Sequence, residues 1–290
     1  MKNIIILPAL ILLFLNACKK DDKPSVETGN RYISKVYDYQ PAPGQFINED
    51  GLGSPAGAQM LVGNKDNLVS LGGYGGYIIF GFDHAIANGE GYDLAIYGNP
   101  SSGTFEWSEP GIVLVSQDKN GNGLPDDAWY ELAGSQYDSS STVRNYSITY
   151  YNPKATANVT WKDNQGNKGS VLINAAHNHA YYPAFATNQD SVTFTGSLLR
   201  STFGLQAGSG ISVNTGFAWG YSDNYSTKDN YPDNHYNSFD ISQAVDATGN
   251  KTPLTAIDFV KVYTGQNSPG NNTMGEVSTE IGGAADLHIK

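Results

Sequence analysis

Thiols are almost missing from this sequence: it has one cysteine, Cys18, in 290 residues, which excludes a thiol nucleophile in the domain that follows. Cations are scarce too. Seventeen Lys+Arg stand against 28 Asp+Glu, a formal net charge of −11, so no basic field exists to neutralise phosphates, and nucleic acid is a poor partner. There is no G-x-S-x-G and no phosphate-binding glycine loop leading into a helix. The glycines of residues 71–77 (LGGYGGY) run into a strand-forming segment and serve a tight turn. No repeat of fixed period is present, which weighs against a propeller or solenoid. Helical periodicity never lasts beyond a turn or two, with residues 242–246 the best short-helix candidate.

What remains is β-forming material. Thirty-three glycines and 19 tyrosines accompany only 16% charged residues, a turn-rich and aromatic-rich composition. Short apolar or alternating runs fall between Gly/Asn/Asp/Pro clusters at residues 77–82 (YIIFGF), 92–97, 111–116 (GIVLVS), 129–133, 145–151, 191–198, 212–220 and 258–264. Residues 159–162 and 170–173 flank the turn DNQGN as a hairpin. The expectation is an all-β, antiparallel β-sandwich, jelly-roll-like, with long ordered loops. Residues 32–290 are read as one elaborated domain: polarity rises after Pro153, but no Pro- or Ser-rich linker separates the halves.

The N-terminus, MKNIIILPALILLFLNACKK, has Lys2 as a positive start and an apolar run from Ile4 to Leu15, too short for an ordinary membrane-spanning helix. Residues 1–17 read as an export signal. The sequence Leu15-Asn16-Ala17-Cys18 resembles the lipobox of bacterial lipoproteins, which implies acylation of Cys18. Residues 18–31 carry no apolar pattern and form a flexible tether. Its KKDD start is similar to the signal that sends Bacteroidetes-type lipoproteins to the outer face of the outer membrane, with the lipid as the sole anchor.

Residues 116–127 (SQDKNGNGLPDD) crowd acids, amides and glycines into one loop. Asp118, Asn120 and Asn122 followed by Gly123 match the start of a D-x-[DN]-x-[DN]-G calcium loop, with the Leu124 carbonyl and Asp126 or Asp127 completing the shell. Trp129 stands where an EF-hand has its Glu, and no helices flank the loop, so this is a structural calcium site between strands. Its competitor is an Asx-rich turn whose side chains cap their own backbone. The metal reading is placed ahead because the spaced ligands, the glycine and two terminal acids share one register.

His177 and His179 share a face if extended, but no third ligand of matching spacing accompanies them, so ligand contact is preferred to a metal. Glu106 and Glu109 flank Trp107 and are read as exposed or calcium-adjacent acids, not a glycosidase pair. Residues 218–225 (AWGYSDNY) are too polar for core, and their aromatics suit a sugar or a large planar ligand. The candidate ligand contacts are Trp107, His179, Tyr181, Tyr221 and Tyr225.

Together, residues 69–82 (VSLGGYGGYIIFGF), 91–98 (GYDLAIYG), 109–116 (EPGIVLVS), 118–135 (DKNGNGLPDDAWYELAGS), 219–221, 259–265 and 276–280 resemble a family of Bacteroidetes cell-surface lipoproteins with a β jelly-roll-like fold. The resemblance implies association with outer-membrane vitamin B12 uptake systems, hence a corrinoid-capturing protein beside a transporter. The alternatives are a calcium-stabilised glycan-binding module and a polysaccharide-active enzyme. No catalytic residue can be named, so the chain is read as a binding protein.

Overall fold

The computed structural model describes residues 29–290. The export signal, Cys18 and most of the tether lie outside the described residues. Just before the expected boundary at residue 32 the chain already contacts the domain: the Asn30 N–H donates to the Asp83 carboxylate and the Arg31 carbonyl accepts from the Asp286 N–H.

The fold is all-β and antiparallel. Its central sheet has six strands in the order Lys35–Gln40, Tyr77–Ala87, Ala256–Thr264, Gly111–Ser116, Trp129–Leu132 and Ala244–Val245. Because successive side chains of a strand point to opposite faces, this sheet feeds two cores. Ile78, Phe80, Val113, Val115, Val260 and Val262 pack on one side with Leu94, Ile96, Phe239 and Ala284 of a three-stranded sheet, Asn237–Phe239, Leu94–Tyr97 and Gly283–Asp286. Tyr77, Ile112, Leu114 and Tyr263 pack on the other with Tyr146, Ile148, Tyr150 and Phe194 of a four-stranded sheet, Ser191–Leu198, Val143–Tyr151, Val159–Asp163 and Lys168–Val171. Burial on both faces explains the unbroken apolar run GIVLVS.

Two expectations need correction. The short helix at 242–246 is a 3-10 turn, Ile241–Gln243, followed by the strand Ala244–Val245. The run at 212–220 contributes only Ser212–Asn214 as strand. Beyond it the chain is irregular yet buried, because side-chain amides replace a ladder. Asn224 accepts from the Phe217 N–H at 2.7 Å and donates to its carbonyl at 2.9 Å, while Asn237 donates to the Asn224 carbonyl at 2.7 Å. The helices Pro55–Gln59 and Tyr231–Asn234 are a turn or so long, and no helix among the described residues is long and apolar enough to cross a membrane.

Candidate functional site

A row of side chains crosses the second face of the central sheet. Lys261 pairs with Leu114, and Leu114 pairs with Glu131 on the next strand. Directly opposed residues share a face, so Lys261 and Glu131 flank Leu114, two strand spacings or roughly 10 Å apart. This row floors a cleft of about 710 Å³ whose opposite wall is the strand Ser191–Leu198, with Tyr137, Arg144 and residues 245–249 at the rim.

Three charges of the cleft, Lys261, Glu131 and Arg144, are held. The Lys261 ammonium sits 3.9 Å from the Tyr77 ring centroid. Burial lowers its pKa, and Asp38 opposes the shift. Glu131 accepts from the Ser197 hydroxyl at 3.1 Å and lies 3.7 Å from an Arg144 nitrogen. Burial raises its pKa; Arg144 and Ser197 pull it back. Arg144 in turn stacks on Tyr137 at 3.5 Å. The cleft is also lined by Trp129, by Phe194 and Tyr263, which reach it from the second core, and by Gln40, Asn145, Thr193 and Thr195. Aromatic walls with a few fixed polar groups are the usual chemistry of a small-ligand site.

The expected ligand contacts lie elsewhere, and none of the five lines this cleft. Tyr181 and Tyr221 are core residues with no face to offer: their hydroxyls accept the backbone N–H groups of Asn174 and Gln136, at 3.1 and 3.0 Å. His179 is half-buried, with one ring nitrogen 3.0 Å from the Ile47 carbonyl and the other 3.6 Å from Glu49. Trp107 stacks on Phe105 at 5.6 Å. Tyr225 packs against Tyr231, and its N–H donates to the Ser108 hydroxyl, which brings it beside the Trp107 segment. The only signal for the cleft is a charge in the middle of an otherwise apolar strand, Lys261 in DFVKVYT and Glu131 in WYEL.

The acidic loop is closed by its own hydrogen bonds. The Asp118 carboxylate accepts from the N–H groups of Asn122 and Gly123, at 3.1 and 2.8 Å. The Asn120 and Asn122 oxygens each accept from the backbone two residues on. Their amide nitrogens donate to Asp126 at 3.0 and 2.9 Å, and Asp127 accepts from the Lys119 N–H. Leu124 is exposed, and its carbonyl accepts from the Asp126 N–H. This is the Asx-turn arrangement. A cation bound here would displace the two amide donors at Asp126, while Asp118 could keep its backbone N–H groups. It is anchored to the central sheet by the Asp118 N–H, which donates to Asp258 at 2.8 Å, where the strand register shifts between Ile257 and Phe259.

Glu109, read from sequence as exposed or calcium-adjacent, is instead buried. It meets Asp223 and Glu280, all three with ligand-capable oxygens within 4.8 Å of one another. Nothing in the spacing of positions 109, 223 and 280 announces this, since the fold alone brings them together.

No model of a known protein family matches the chain, and no curated protein matches it.

Proposed function

We propose that the protein is a lipoprotein, acylated at Cys18 and displayed on the outer face of the outer membrane, that captures a neutral ring-bearing ligand with many hydrogen-bonding arms. The observation that supports this reading is the cleft between the six- and four-stranded sheets, where Tyr77, Trp129, Tyr137 and Phe194 surround the Glu131–Arg144 pair and Lys261. Ring faces bury against the aromatics and supply affinity, while the fixed charges and amides set orientation.

A corrinoid and a glycan share this chemistry. The corrinoid follows from the family resemblance and implies a neighbouring outer-membrane transporter; the glycan follows from the mixture of aromatic platforms and polar tips. Calorimetry of the soluble chain against cyanocobalamin and against surface oligosaccharides separates them. Heat with one ligand, abolished in Trp129→Ala and kept in Tyr181→Phe, is the expected result. Binding that survives Trp129→Ala and Tyr137→Ala places the ligand elsewhere and defeats the reading. Sugar release in the oligosaccharide arm, lost in Glu131→Gln, turns the reading toward an enzyme. Anchoring is tested separately: Cys18→Ala should release the protein from membranes.

A further inference from the structure

Three carboxylates from distant parts of the chain meet in the interior at the start of the central strand Gly111–Ser116. Glu109 precedes that strand, Asp223 lies in the amide-rich segment after Tyr221, and Glu280 opens the strand Glu280–Ile281. Their exposures are 8%, 1% and 4%. Among the described residues no Lys, Arg or His forms an ion pair with any of them. An unpaired charge in such a place is expensive, and three are more so.

The existing donors satisfy only part of the cluster. Asp223 accepts the N–H groups of Asn99 and Glu280 at 3.0 and 2.9 Å, one on each oxygen. Glu109 accepts the Ser278 N–H at 2.8 Å and faces the Trp107 indole. Glu280 contributes a buried oxygen, Oε1, that no conventional donor reaches, and without an ion its carboxyl can only share a proton with the adjoining Glu109. The Ser70 and Ser278 hydroxyls, 2.5 Å apart, lie against this same carboxylate.

We propose that Glu109, Asp223 and Glu280 hold one divalent, oxygen-seeking cation of the calcium class. Hard cations take carboxylates and neutral oxygens together, and Ser70 and Ser278 supply neutral oxygens at this place. The ion neutralises most of the buried charge and gives the orphan Glu280 oxygen a partner. It cross-links the start of the strand Gly111–Ser116, the amide-rich segment and the strand Glu280–Ile281. The backbone is shaped for this crowding: Asp223 sits at φ 51°, and a Cβ on Gly98 would come 2.8 Å from its carboxylate. The buried cluster is a cation site separate from the exposed loop at 118–127. This holds whether or not the cleft binds a ligand.

Metal analysis and calorimetric melting of the soluble chain test it. One equivalent of a divalent metal per chain is expected, with a melting temperature that falls by several degrees in chelator and returns with calcium, as linkage requires. The ion and the shift should persist in Asp118→Asn and vanish in Glu280→Gln. If Glu280→Gln does not fold, terbium luminescence on otherwise intact chains decides: sensitisation should be lost in Trp107→Phe and kept in Trp129→Phe. A metal-free chain indifferent to chelator and calcium overturns the proposal and leaves the carboxyls sharing protons. Loss of the ion in Asp118→Asn, or terbium emission dependent on Trp129, also overturns it in favour of the loop.

Discussion

Replacing Arg144 with alanine removes the one cation that, among the described residues, pairs with the largely buried acid Glu131. The Glu131 side chain is 14% exposed and its partner nitrogen is 3.7 Å away, while Arg144 itself is 38% exposed. Two unit charges at that separation attract by about 4 kcal/mol at an effective dielectric of 20. With Arg144 more than a third exposed, solvent screening reduces the net value to about 1 kcal/mol. The lost stack on Tyr137 adds roughly 0.5–1 kcal/mol, so Arg144→Ala should lower stability by about 1.5–2 kcal/mol at neutral pH. The sign of the pH dependence follows from Glu131. Its folded pKa is raised above the ordinary 4.5, so the folded state binds the proton more tightly, and this group weakens the fold as pH climbs from 4.5 through the folded pKa. Without Arg144 the folded pKa rises further and the penalty grows. Well below the ordinary value, at about pH 3, the acid is neutral in both states, the electrostatic part disappears, and only the stacking part of roughly 0.5–1 kcal/mol should remain. Urea denaturation of both proteins at the two pH values measures this. In a Glu131→Gln background, Arg144→Ala should show the smaller cost at every pH. An equal loss at both pH values would refute the role given to Glu131.

Two other perturbations probe the frame around the site. Burial opposes the charge on His84, but its hydrogen bonds to Asp83 at 2.7 Å and Asp286 at 2.9 Å prevail and raise its pKa above 6.5. Its contribution is therefore fully present below the unfolded value and lost as pH rises through the folded one. The gap in melting temperature between wild type and His84→Gln should be widest near about pH 6 and narrow toward about pH 9; a gap that widens with pH would count against the pairing. For Gly98→Ala, the new methyl meets the Asp223 backbone at 2.9 Å, and overpacking of this kind costs about 1–3 kcal/mol. Urea midpoints within error of wild type would mean that Asp223 is free to shift.

Strands with simple surroundings were legible in the sequence. Residues 111–116 and 191–198 fall where their apolar and alternating patterns place them, because each packs regularly against a neighbouring sheet. Polarity misled where burial is achieved through hydrogen bonds. Residues 218–225 read as surface, yet Tyr221, Ser222, Asp223 and Asn224 are buried, since amides and carboxylates there satisfy backbone groups across the fold. The same physics hid the site. A tyrosine on the rim of a cleft and one that accepts a buried N–H have the same local sequence, so Tyr181 and Tyr221 could not be told from Tyr137. Lys261 and Glu131 gain meaning only from the register that sets them on either side of Leu114.

The position of one strand in the chain governs the order in which this protein can become itself. Ala256–Thr264 lies between Tyr77–Ala87 and Gly111–Ser116 and pairs with both. Until it arrives those two strands have no common edge, and the two cores that share the sheet stay open to solvent. With this strand beginning only at residue 256, closure rests on contacts of long sequence separation, the kind that form slowly. On the proposed export route, late arrival of the strand Ala256–Thr264 is a built-in delay.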